Sequence, residues 1–128
     1  MPIEVRYLVW SVVLGIGHVL LTGMLTTAQH GIAYGLSPRD EKKELTGVAA
    51  RVERAFSNFM QTFPFFSAAI AVAHALDRHN WMTVWGAGLY FWARLAFVPL
   101  YAMGIPGPRT LAFAASIAGI VFVLVGSA

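Results

Sequence analysis

Four long apolar segments, parted by three polar or helix-breaking connections, constrain this 128-residue chain more than any other feature. They run over residues 7–28, 48–76, 81–103 and 110–126. A helix needs roughly 20 residues to cross a hydrocarbon core, with about 17 as the lower bound, so the fourth segment only just qualifies. The short connections make successive helices antiparallel neighbours. The expected fold is therefore all-α: an integral membrane four-helix bundle of up-down topology, forming one domain over residues 1–128. Composition agrees, with 58% hydrophobic and only 12% charged residues, against about 45–50% and about 25% in soluble domains.

The connections differ in kind. Residues 29–47 form the one substantial loop, holding Arg39, Asp40, Glu41, Lys42, Lys43 and Glu44, with Ser37-Pro38 as a helix-start signal. Asp77-Arg78-His79-Asn80 is tight. Gly104-Ile105-Pro106-Gly107-Pro108 must end the third helix. The amino terminus carries Glu4 and Arg6 ahead of an apolar run too long for a signal core, and reads as the first membrane helix rather than a cleavable signal. A net charge of +3 and no cysteine complete the outline. Without cysteine there is no disulfide, no thiolate metal site and no Cys nucleophile. The basic residues do not form a nucleic-acid surface. Arg39, Lys42, Lys43, Arg51, Arg54 and Arg109 fall on one side of an up-down bundle, and Arg6 and Arg78 on the other. That bias places the long loop in the cytoplasm, for instance of a bacterial inner membrane, with both termini outside.

Against this apolar background the polar residues inside segments stand out. Arg51, Arg54, Asn58 and Gln61 follow one another at steps of 3, 4 and 3, so one helix face carries all four. Such a row is costly in a membrane unless it meets protein, water or a polar ligand. The arginines offer forked donors to a carboxylate or phosphate, and the carboxamides donate or accept beside them. The simpler alternative has the arginines snorkelling to the interface while Asn58 and Gln61 join helices. A second row, Tyr90, Arg94, Phe97 and Tyr101, occupies the third segment at steps of 4, 3 and 4. Arg94 is too deep to snorkel easily and must be paired or bind an anion. Its candidate partner Glu53 is off the stripe of Arg51 and Asn58. Pro99 is expected to kink this helix and free carbonyls near Tyr101. Arg109 is expected to open the fourth helix, where unpaired N–H groups would add to its positive potential.

Other features are structural. Ala115 and Gly119, Ala69 and Ala73, and Gly15 with Gly17 are small residues that permit close helix contact. Trp10, Trp81 and Trp85 lie near segment ends, where indoles favour the membrane interface. His18 sits mid-segment as a packed, hydrogen-bonded residue, and His30, His74 and His79 lie near segment ends. None has the spacing of a metal site.

Arg51-x-x-Arg54-Ala55-x-x-Asn58-x-x-Gln61-x-x-Pro64-x-Phe66, then Arg94 through Tyr101 and Pro-Gly-Pro-Arg109-Thr110, resembles the MAPEG family, the membrane-associated proteins in eicosanoid and glutathione metabolism. The resemblance covers nearly the whole chain. It implies a homotrimer with glutathione held between adjacent subunits. Positions matching Arg51, Arg54, Asn58, Gln61, Arg94 and Tyr101 would bind the tripeptide, and Arg109 would stabilise its thiolate. Family members usually carry Glu at the position of Gln61, and the eicosanoid enzymes have further polar residues where this chain has Ser57, Thr110 and Phe113. A basic residue that some members place at the end of helix one is replaced around Gln29 or His30.

The expected function is a membrane-embedded, glutathione-dependent transferase or peroxidase-like enzyme acting on a lipophilic electrophile, with membrane lipids and copies of itself as partners. The rival is a non-catalytic protein binding an anionic lipid or amphiphile on the same cationic face. A third possibility is a purely structural or assembly protein.

Overall fold

Apolar residues at helical spacing, interrupted only where turn chemistry intervenes, produce four helices among the residues that the computed structural model describes, 1–31 and 45–128. They are α1 (Ile3–His30), α2 (Gly47–Ala75), α3 (Trp81–Ala102) and α4 (Pro106–Ser127). The helix start expected at Ser37-Pro38 lies outside the described residues. Both α1 and α4 are long and apolar enough to cross a membrane.

Each boundary has a local cause. α2 ends where Asp77 takes a left-handed φ of 55° and the Arg78 amide reaches back to the Ala73 carbonyl at 2.9 Å, closing the last turn. Asn80 then starts α3 with a capping box: its side chain accepts from the Met82 and Thr83 amides, and Thr83 Oγ1 accepts from the Asn80 amide. Gly104, at φ 72°, turns the chain between α3 and α4. Two boundaries and the carbonyl freed by Pro99 depart from expectation. α1 begins at Ile3 rather than 7. The breaker is shorter than expected, because Pro106 is the first residue of α4 and suits a first-turn position that needs no N–H. Pro99 sits within α3, which continues to Ala102. The carbonyl its ring leaves unbonded is that of Leu95, four residues back, rather than one near Tyr101.

α1 and α4 lie on opposite sides of the α2–α3 pair and do not touch each other among the described residues. The main core joins Phe66, Ala69, Ile70 and Ala73 of α2, Ala87 and Tyr90 of α3, and Ile120 and Val123 of α4. Tyr90 is a core residue, stacked on Phe66 with ring centroids 4.0 Å apart and its hydroxyl 3.0 Å from Thr62 Oγ1. α3 and α4 make their closest approach at two glycines. A Cβ on Gly119 would lie 2.6 Å from the Gly86 carbonyl oxygen, and one on Gly86 would lie 2.6 Å from that of Gly119. Gly86 is a contact the apolar pattern did not reveal. Of the glycines expected in α1, Gly15 admits the Phe59 ring, whereas Gly17 meets nothing within 4 Å. Much of the outer surface is apolar, including Val13, Ile16, Leu20 and Met24 of α1, which favours hydrocarbon surroundings.

The end of the bundle away from Arg51, Arg54 and Arg109 is held by polar clasps. Glu4 is buried and its carboxylate accepts from His79 Nδ1 and, at 3.1 Å, from Thr83 Oγ1. Asn80 Nδ2 donates to the Gly126 carbonyl at 2.7 Å. The first turn of α1, the 76–80 connection and the end of α4 therefore meet at one end, as up-down topology requires. At the other end the Gln29 carboxamide exchanges two hydrogen bonds with the backbone of Thr46. Glu4→Ala leaves Thr83 and His79 without their shared acceptor and should cost about 1–3 kcal/mol, seen as a lower unfolding temperature in detergent. Glu4→Gln should recover part of it.

Candidate functional site

Packing brings the two polar rows together at the end of the bundle where α2 begins and α3 finishes. Arg94 of α3 is 1% exposed. Its Nη1 donates to Asn58 Oδ1 of α2 at 2.8 Å. Its guanidinium carbon lies 4.3 Å from the centroid of Phe97 and 5.7 Å from that of Phe59, a flat cation held by two ring faces. Nε is buried with no hydrogen-bond partner. The expected candidate Glu53 is exposed and is not the partner. A neutral carboxamide holds the charge instead, and no ion pair reaches Arg94 among the described residues. A buried cation with a neutral partner keeps most of its need for an anion.

Nearer the end of the bundle, Tyr101 is the centre of a second group. The Arg109 guanidinium carbon lies 4.7 Å from its ring centroid and that of Arg54 lies 6.0 Å away. Arg51 Nε donates to the Ala102 carbonyl at 2.8 Å, one of the carbonyls that a helix end leaves without an intrahelical partner. Arg51, Arg54, Tyr101 and Arg109 thus come from α2, the last turn of α3 and the first turns of α4. Arg94 lies seven residues before Tyr101, about 10 Å deeper along α3 at 1.5 Å per residue. Gln61 is exposed on α2 and is not tied into either group by a hydrogen bond.

Arg109 is the fourth residue of α4 rather than the first. The four amides that a helix start normally leaves free belong here to Ile105, Pro106, Gly107 and Pro108. Two are proline, and the Ile105 amide already donates to the Leu100 carbonyl at 3.1 Å. Only Gly107 can present a free N–H, so the positive potential expected of this helix end rests on the Arg109 side chain. Thr110 turns back to the Pro106 carbonyl at 2.9 Å.

Two contributors escaped the sequence reading: Phe59, which was not part of either row, and the Ala102 carbonyl. Phe59 also lines a wholly apolar groove of about 330 Å³ between α1 and α2, with Val12, Ile16, Val19, Phe56 and Met60. One ring therefore separates this outward groove from the buried arginine. His18 is packed as expected, buried with Nε2 3.1 Å from the Val52 carbonyl.

A model of the MAPEG family matches residues 7–128. No curated protein and no solved structure matches the chain.

Proposed function

The chain belongs to the MAPEG family, membrane-associated proteins of eicosanoid and glutathione metabolism, and from that premise we propose that it is a glutathione-dependent transferase or peroxidase-like enzyme working on lipophilic electrophiles. The observation that carries the proposal is Arg94, a buried guanidinium whose hydrogen-bond partner is a carboxamide. The helices cross the membrane four times with the long loop cytoplasmic, and the subunits associate as a homotrimer that places the cationic face against a neighbour. Arg51, Arg54, Asn58, Gln61, Arg94 and Tyr101 hold the tripeptide. Its carboxylates take up the charge of the guanidiniums, in the donor geometry that suits bidentate pairing.

Arg109 is the catalytic group. A cation beside the thiol favours the thiolate, which is the nucleophile. The sulfur lone pair forms the new bond to the electrophilic carbon, the leaving group departs with its bonding pair, and the thiol proton goes to solvent. The electrophile arrives from the bilayer, whose apolar surroundings concentrate it.

The test uses protein purified in detergent. Glutathione at millimolar concentration should raise the unfolding temperature, and conjugation of a generic aromatic electrophile should proceed. Arg109→Ala should lower kcat by about 10²-fold, the scale of losing one stabiliser of developing negative charge, while leaving the glutathione-dependent thermal shift in place. Activity unaffected by that substitution sinks the mechanism. Stabilisation by anionic lipid but not by glutathione favours the rival lipid-binding role.

A further inference from the structure

We infer that Arg51 is a positioning residue: besides its place in the polar row, it fixes the turn between α3 and α4, and through that turn Tyr101 and Arg109. This rests on the glutathione reading above. The last four carbonyls of a helix have no partner within it, and in α3 these belong to Pro99, Leu100, Tyr101 and Ala102. Three are answered by the chain that follows. The Met103 amide donates to the Pro99 carbonyl at 3.0 Å, that of Gly104 to Tyr101 at 3.0 Å and that of Ile105 to Leu100 at 3.1 Å. This is the closure that a left-handed residue after a helix permits, and Gly104 takes φ 72°. The Ala102 carbonyl is the fourth, and Arg51 Nε of α2 donates to it at 2.8 Å.

A cation at this place also meets the negative end of the α3 dipole. The Arg51 stem lies along the turn, since a Cβ on Gly104 would stand 3.8 Å from its Cδ and Nε. Tyr101 directly precedes the bonded carbonyl. Arg109 opens the chain beyond the turn, with its guanidinium carbon 4.7 Å from the Tyr101 ring centroid. Both therefore stand where the turn puts them, and Arg51 ties the turn to α2. The tripeptide is held by residues of α2 and α3, whereas the catalytic cation comes from α4. The setting of the turn against α2 decides how well the two match, and a misplacement of about 1 Å can cost as much as 10²-fold in rate. Arg51 thus reaches the chemical step through Arg109 and does not act on affinity alone.

The experiment measures conjugation of a generic aromatic electrophile by the full chain in detergent, at saturating glutathione and across pH. Arg51→Met keeps the stem and removes the donor, and Arg51→Gln takes its place if that variant does not fold. The substitution should lower kcat by about tenfold, less than loss of Arg109 itself. It should also move the pH profile of kcat towards alkaline pH, because a thiol less closely faced by a cation ionises at higher pH. Arg51→Lys, whose ammonium can still donate to the carbonyl, should restore both. In an Arg109→Ala background, Arg51→Met should lower kcat no further, since its effect passes through the missing group. A raised KM with wild-type kcat and pH profile overturns the inference, and so does an additive loss in the double variant. A lower unfolding temperature with kcat and pH profile unchanged makes Arg51 a structural residue and overturns it too. Wild-type protein without glutathione-dependent activity overturns the glutathione reading and this inference with it, an outcome distinct from the others.

Discussion

Gly119→Leu is expected to abolish the folded bundle. Even a methyl at this position would stand 2.6 Å from the Gly86 carbonyl oxygen, 2.8 Å from the Tyr90 amide nitrogen and 3.2 Å from the Tyr90 Cα. All three are backbone atoms of α3, so no side chain can rotate aside to relieve the contact. α3 and α4 would have to separate, and that opens the core around Tyr90, Ile120 and Val123. Overpacking within a core that yields by side-chain movement costs typically 1–3 kcal/mol. A backbone collision at the tightest helix pair should exceed that. The measurement is the folded fraction recovered in detergent by size-exclusion chromatography, together with the unfolding temperature. Gly17→Ala is the matched control, because nothing lies within 4 Å of its Cβ. It should leave both quantities unchanged or raise the second, since alanine is favoured over glycine in a helix by about 1 kcal/mol. Wild-type behaviour of Gly119→Leu would show that the two helices do not meet as described.

Arg94→Leu is expected to separate stability from ligand response. The charge is buried against one carboxamide and two aromatic rings, with Nε unpaired. Replacing a buried ion pair by apolar residues of similar volume is often neutral or stabilising by about 1–4 kcal/mol, and here the group left behind, Asn58, is uncharged and only half-buried, so it can turn to water. The ligand-free variant should therefore unfold at the same temperature as wild type or higher. Glutathione-dependent stabilisation should be lost, with affinity down by about 10²-fold, the loss of one or two charge-assisted hydrogen bonds at about 1.5–3 kcal/mol each. Asn58→Leu should behave differently: it strands the guanidinium without its acceptor, so ligand-free stability should fall. The double substitution should then recover what Asn58→Leu loses. Equal destabilisation by all three variants would mean that Arg94 is a structural residue.

The helices were legible because apolar spacing survives to within a few residues of each end. Their ends were not, where partners distant in sequence decide them. Glu4 reads as a polar flank, yet it is buried because His79 and Thr83 come to it from the far side of the chain. Pro106 reads as a breaker, and only the turn at Gly104 shows that it begins a helix. Both polar rows were visible as rows. That Asn58 faces Arg94, and Thr62 faces Tyr90, depends on the packing register of α2 against α3, to which periodicity within one segment is blind. The same blindness hid Gly86, whose significance lies in the Gly119 backbone opposite. The expected helix-terminus contribution beside Arg109 failed for a chemical reason: two prolines remove the N–H groups that would have supplied it.

The capped turn at 76–80 bears on how the chain enters a bilayer in the first place. α1 and α4 are long and apolar enough to cross a membrane, whereas α2 and α3 fall short of the same threshold, and an arginine at a helix centre opposes insertion by about 2.5–3.5 kcal/mol. Under the four-span topology proposed above, α2 and α3, joined by a turn this tight, would cross as one hairpin, with Arg94 already shielded by Asn58 and its flanking rings. The cost of the charge is then met within the inserting unit rather than by lipid. Biogenesis would thus depend on the same hydrogen bond that presents Arg94 to a ligand.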